Sequence, residues 1–351
     1  MSSPRASADS LPSRIAALPK AELHLHLEGA MDPVTVVELA ARYGDTITAG
    51  QVAARYATND FPSFIEAYKW VTSYLRAPQD YALVAREAAE HLLAQNIVYA
   101  EITLSAGVML LRKQDPVANL RAIREAVRPY ESLGLRLQWI FDCVRQFGPQ
   151  PAMEIAHIAV ELRNEGVVAL GIGGDELALP AAEFAAAFDY AARGGLHRVA
   201  HAGEIGGPDS IRDALAYFGA ERIGHGIAAT RDPALAATLR ERMIPLEICP
   251  ISNLRTGALA RQIGRDHAEL QHHPLPDLFR AGVPLSISTD DPAMFQTDLQ
   301  REYLAAIEMG LSPRELARIG AAAFQGAFLP VADKFAYLDK FTRQATALDL
   351  I

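Results

Sequence analysis

Short apolar runs of β-type residues recur along this 351-residue chain, each followed by a longer stretch with helical spacing. Eight runs read as strands, at residues 21–27, 97–104, 135–141, 167–172, 197–200, 222–224, 244–248 and 283–288. Helical segments fill the intervals at 116–132, 151–164, 181–193 and 233–242, and two more follow the last strand at 299–309 and 313–324. Several open on proline behind a capping Asp or Ser, as at Asp115-Pro116, Asp232-Pro233 and Ser312-Pro313. Strands alternating with helices form parallel βαβ units, and eight such strands close a barrel. The predicted fold is therefore α/β, a (β/α)8 TIM-type barrel with additional helices over its C-terminal mouth. Residues 32–95 are too long for one connection and supply those helices. In their segment "NDFPSFIEAYKWVTSYL", Phe61, Phe64, Tyr68 and Val71 recur at helical spacing. This stripe either packs on the barrel and no more, or also sets Phe61 and Phe64 as an apolar lid over a planar substrate. One domain spans residues 1–351, with residues 1–10 as a loose tail.

Polar residues interrupt the pattern at the ends of the apolar runs. His24 and His26 lie in "ELHLHLEGA", where i and i+2 share one face of a strand and Leu23, Leu25 and Leu27 face the helices. His201 and Glu204 lie in "HRVAHAGE", His225 in "ERIGHG", and Asp290 and Asp291 in "VPLSISTDDP". Barrel enzymes build their sites at strand C-terminal ends, and the eighth strand lies beside the first. Three histidines and one aspartate (His24, His26, His201, Asp290) form a donor set that suits one zinc per chain. Such a metal needs an open position for water, whose pKa it lowers towards about 7. Attack on an unsaturated ring carbon requires a proton on the adjacent ring nitrogen. Glu204, three residues past His201, can deliver it where an enclosed site raises its pKa. His225 is placed to take or hold the hydroxide proton, and Asp291 to accept from the nucleophile or a ring N–H. The combination points to a metal-dependent hydrolase.

"ALGIGGDE" ends the fourth run in glycines, which either make a tight turn or let the Gly174 N–H approach a heterocycle nitrogen. A GxGxxG fingerprint is not completed, and no P-loop, G-x-S-x-G elbow or HxE…PCxxC signature occurs. His91 and His157 fall in helical segments, His197 starts a strand, and His267, His272 and His273 read as solvated residues of a polar loop. The balance of 33 basic and 42 acidic residues leaves −9, with no Lys/Arg cluster. That argues against a nucleic-acid partner and for a small substrate. Cys143 and Cys249 form no CxxC and read as buried packing residues. With no disulfide framework and no apolar h-region in the first twenty residues, a cytoplasmic location is expected. No window is apolar enough for a membrane span. The oligomeric state stays open, a homo-oligomer included.

From about Leu18 to Leu329 the chain resembles the adenosine/adenine deaminase family of zinc amidohydrolases. The resemblance is carried by "LPKAELHLHLEGA", "HAGE", "GHG", "CPISN" and "STDDP" in this order. It implies a (β/α)8 barrel, one zinc, and hydrolytic loss of ammonia from C6 of a 6-aminopurine. It assigns metal ligation to His24, His26, His201 and Asp290, proton donation to ring N1 to Glu204, and a hydroxide-orienting base to His225. Asp291 matches the residue that engages the nucleophile and N7, and Gly174 the backbone donor to N3. His26, Glu28, Gly174 and Asp291 are the substrate-facing set. The fourth strand offers no Lys to bridge two metals, in keeping with a mononuclear site. Two positions depart from the adenosine-specific pattern. Glu28 stands where those members usually carry an aspartate for the ribose hydroxyl, as in adenine-specific relatives. "GIGGDE" stands where they usually read "DLxGDE", yet keeps the Gly-Asp-Glu that adenine deaminases lack. The expected substrate is adenosine or deoxyadenosine, with aminodeoxyfutalosine or adenine as the alternatives. An esterase or amidase on the same barrel would have no use for Glu204 and Gly174 in these roles. A zinc-stabilised binding protein would need no Glu204 at all.

Overall fold

The alternating pattern builds eight parallel strands in the order β1 to β8, each hydrogen-bonded to the next. The computed structural model describes residues 10–351. The strands are β1 (Lys20–His26), β2 (Ile97–Leu104), β3 (Arg136–Val144), β4 (Val167–Gly173), β5 (His197–Ala202), β6 (Arg222–His225), β7 (Leu246–Ile248) and β8 (Leu285–Ile287). The last two are shorter than the apolar runs predict, because Pro245 and Pro284 bring no N–H to a ladder. The ring closes on a single bridge between Leu25 and Asp290. There the His26 N–H donates to the Asp290 carbonyl (2.8 Å) and the Asp290 N–H to that of His24 (2.9 Å). One layer below, a side chain replaces the ladder, as the buried Glu22 carboxylate accepts the Thr289 N–H at 3.2 Å. The result is a (β/α)8 barrel.

Most of the hydrophobic core lies between the strands and the surrounding helices. A small separate cluster of Ile140, Ala169 and Val199 comes from β3, β4 and β5. The three capping signals all form. Asp115 accepts the N–H groups of Val117 and Ala118, Asp232 those of Ala234 and Leu235, and Ser312 that of Glu315. Residues 181–193 divide into a 3-10 turn (Ala181–Phe184) and a helix (Ala185–Arg193). The expected loose tail lies outside the described residues except for Ser10. That residue is no part of a tail, since its hydroxyl caps α1 (Leu11–Ala17).

The insertion after β1 forms α2 (Pro33–Arg42), α3 (Ala49–Tyr56), α4 (Phe61–Thr72) and α5 (Pro78–Ala94). Asp60 starts α4 by accepting the Ser63 N–H at 2.7 Å. The α5 helix packs on β2 and on the helix Pro116–Glu131, as a barrel crossover does. Among the described residues no helix is long and apolar enough to cross a membrane.

Candidate active site

His24 and His26 from β1, His201 from β5, His225 from the end of β6 and Asp290 after β8 meet at the C-terminal mouth of the barrel. The His24 ring lies 4.6 Å from that of His201, 5.0 Å from that of His225 and 5.3 Å from that of His26, centroid to centroid. Donor atoms of His24, His201, His225 and Asp290 all fall within 4.8 Å of one another. Three of the four expected ligands are in this group, and its fourth member is His225. His26 borders it, with its Nε2 3.2 Å from His201 Nε2 and 3.4 Å from Asp290 Oδ1. His225 (φ 59°) and Asp290 (φ 66°) hold left-handed backbone conformations, a strain of about 1–3 kcal/mol each that clusters at functional sites.

The donor set fits a metal ion. His24 Nδ1 donates to Glu247 Oε2 at 2.8 Å, so its Nε2 lone pair faces the mouth, buried and without a hydrogen bond. His201 Nδ1 donates to the Ile172 carbonyl at 3.3 Å, which likewise turns the Nε2 lone pair inward. Burial lowers His26 and His225 to about 4 and His201 well below its ordinary value, leaving the neutral imidazoles that a metal requires. His24 differs. Burial opposes its charged form, but Asp290 and Glu247 outweigh burial and raise its pKa, so the electrostatics favour positive charge at this point. Ser252 Oγ donates to Asp290 Oδ2 at 2.6 Å, while Oδ1 faces His24 and His26.

Glu204 is held by its own loop. The Glu176 carboxylate accepts the N–H groups of Gly203, Glu204 and Ile205 at 2.7–2.9 Å. Burial, then the charges of Asp290 and Glu176, push the Glu204 carboxyl well above the usual range, which favours its protonated form. Its Oε2 lies 3.6 Å from His225 Nε2. Asp291 is buried and raised in the same way, by burial and by Asp290. Gly29 lies so close that a Cβ there would overlap the Asp291 carboxylate. Gly174 turns the chain after β4 with φ 85°.

One cavity of about 270 Å³ is lined by His26, His201, Glu204, His225, Asp290, Asp291 and Gly174, with His24 set behind its wall. Phe61, Phe64 and Tyr68 from α4 also line it, so the stripe packs on the barrel and borders the cavity, while Val71 packs into the core. Glu28 is set behind this wall. Its buried carboxylate accepts the Ser105 N–H (2.9 Å) and the Tyr68 hydroxyl (3.4 Å), and burial pushes it up to about 7. Both cysteines are buried.

Sequence reasoning missed the supporting residues. Arg222 donates to Glu101 Oε2 and to Glu247 Oε1, both at 2.5 Å, and lies 3.8 Å over the Phe328 ring. This buried Glu101–Arg222–Glu247–His24 chain orients the His24 imidazole. Its signal was the lone carboxylates inside the apolar runs "VYAEITL" and "IPLEI". His273 requires a correction. It is buried rather than solvated, because the Leu275 N–H and the Asn253 side chain satisfy its two ring nitrogens and let it pack beneath the site. Removing Arg222 strands two buried carboxylates. Arg222→Met is expected to cost about 3–5 kcal/mol in urea denaturation and to weaken metal affinity about 10–100-fold through Glu247. Wild-type stability and metal retention would contradict this.

The model of the adenosine deaminase family matches residues 19–344. The chain belongs to this family. It is 40% identical over 340 residues to the aminodeoxyfutalosine deaminase of Streptomyces coelicolor, covering 95% of this chain and 86% of that one. With the adenine deaminase of a Chelativorans species it shares 35% identity, over 88% of this deaminase and 94% of the relative. An amidohydrolase from Burkholderia ambifaria, solved with bound Zn, superposes with a TM-score of 0.86 at 25% identity, over 97% and 96% of the two chains. The protein is thus a metal-dependent hydrolytic deaminase acting on the C–N bond of a 6-aminopurine.

Proposed function

We propose that this deaminase acts on a 6-aminopurine carrying an extended group at N9, an aminodeoxyfutalosine-type nucleoside ahead of adenosine, with adenine last. The observation that carries this reading is a second cavity of about 650 Å³ beside the first, the two sharing the wall formed by Phe61, Ile65, Lys69 and Gln146. A free base needs only the inner cavity; a 5′-extended nucleoside uses both. Glu28, bonded to Ser105 and Tyr68, lines neither cavity and so leaves both free for such a group. The relative at 40% identity shifts the order from adenosine to aminodeoxyfutalosine.

His24, His26, His201 and Asp290 would hold one zinc per chain, which would supply Lewis acidity to activate a water near neutral pH. His26 is preferred to His225 as the fourth ligand, since His225 Nε2 lies 3.9 Å from Asp290 and faces Glu204. Protonated Glu204 delivers its proton to N1 as oxygen adds at C6. Asp291 engages N7 and the nucleophile, the Gly174 N–H donates to N3, and His225 orients the attacking oxygen. Phe61 and Phe64 cover the ring and exclude bulk water. The proton of the added O–H passes to the amino group, the C6–N bond breaks as C6=O forms, and ammonia leaves. The whole chain serves as one barrel domain acting in the cytoplasm on a small molecule rather than on nucleic acid.

Ammonia release from aminodeoxyfutalosine, adenosine, deoxyadenosine and adenine, compared side by side, tests the order. The extended nucleoside is expected to exceed adenine in kcat/KM by at least about tenfold, or about 1.4 kcal/mol of transition-state preference. Adenine ahead by that margin would overturn the proposal.

A further inference from the structure

We propose that Asn253 and His273 lock the tautomer of His225, so that its ring presents an N–H rather than a lone pair to the attacking oxygen. The backbone N–H of Leu275 donates to His273 Nδ1 at 3.1 Å, so that nitrogen is an acceptor and the ring proton sits on Nε2. His273 is buried, and burial lowers its pKa to about 3, so the ring is neutral. His273 Nε2–H then donates to Asn253 Oδ1 at 3.2 Å, which fixes the amide orientation. A flipped amide would set its NH2 against that N–H, donor against donor. The Asn253 NH2 therefore faces His225 Nδ1, at 3.0 Å, and donates to it. An Nδ1 that accepts carries no proton, so the one N–H of the His225 ring is at Nε2.

That Nε2–H points towards Glu204 Oε2 and Asp290 Oδ2, 3.6 and 3.9 Å away and beyond normal hydrogen-bond length. It is aimed at the space between the proton donor and the metal-ligand carboxylate, where the attacking oxygen belongs in the proposed function. In this state His225 has no lone pair to receive a proton from that oxygen. It holds the nucleophile by donating to it, and Asn253 and His273 are positioning residues acting through it. The chain reaches from the segment after the 3-10 turn Leu270–His272, through the helix Pro250–Arg255, to the end of β6. No single motif in the sequence contains it.

The placement of His225 beside the nucleophile rests on the deaminase reading; the tautomer does not. The zinc-loaded enzyme labelled with [15N]histidine reports it directly by two-bond 1H–15N correlation, with His225 assigned from the spectrum of the His225→Gln variant. The Nε2–H pattern is expected, and the Nδ1–H pattern would overturn the proposal whatever the activity. Asn253→Asp keeps the shape but can only accept, so it should move the His225 proton to Nδ1. It should lower kcat about 10²-fold with KM little changed and metal content full. An unchanged kcat in that variant would also overturn the proposal. His273→Gln, which retains a donor for Asn253, should keep more of the rate than His273→Leu; equal losses would count against the relay. Absence of ammonia release from every 6-aminopurine would sink the functional reading while leaving the tautomer result standing.

Discussion

Glu204→Gln is expected to reduce kcat by at least about 10²-fold while metal content and thermal unfolding stay as in the wild type. Gln keeps the size of Glu and the Thr256 contact at Oε1 remains available to it, so the loop held by Glu176 has no reason to move. What disappears is the proton. Burial with Asp290 and Glu176 nearby favours the acid form of Glu204, and an amide in the same place has no proton it can transfer to a ring nitrogen. Single-turnover ammonia release together with elemental analysis checks both halves. Near-normal turnover by the variant would remove Glu204 from the acid role.

The second large effect concerns the metal centre. His24→Ala or Asp290→Ala should drop bound zinc far below one per chain and abolish activity with it. Each removes a donor from the point where the electrostatics favour positive charge. His24 is aimed by Glu247 and Asp290 by Ser252, so neither donor has a replacement of similar geometry. His26 lies close to both His201 and Asp290, and its loss should also weaken metal binding. Metal analysis after dialysis against a mild chelator decides the matter. Full occupancy and normal turnover in His24→Ala would disprove the ligand assignment.

The barrel was legible because its signals are local. An apolar run of β-type residues, a capping Asp or Ser before Pro, and histidines at i and i+2 can each be read within a few residues. The residues that gather at the mouth were legible for the same reason: His24, His201, Glu204, His225, Asp290 and Asp291 all lie near or just past the C-terminal ends of strands, and the topology of a barrel brings those ends together. The placement of the α4 stripe was half-legible. Helical spacing placed Phe61, Phe64 and Tyr68 on one face, but only packing showed that they face the cavity while Val71 joins the core.

The residues beneath the site were not legible in that way. Glu101 meets Arg222 across 121 positions of chain, and Gln262 reaches the Glu204 carbonyl across 58. Such contacts leave no period or motif in the sequence, only an unexplained charge inside an apolar strand. His273 shows the limit most clearly. Beside another histidine in a polar stretch it reads as solvated, and it is buried because Leu275 and Asn253 supply partners for both ring nitrogens. The sequence by itself determined the strand-helix alternation, the capped helix starts and the residue types that gather at the barrel mouth, since each depends on neighbours along the chain. Only the tertiary structure decided which carboxylates orient His24, which way the His225 ring is protonated, and how the barrel closes between β1 and β8. Those depend on hydrogen-bond partners from distant strands, and the burial that makes such bonds strong exists only once the barrel has formed.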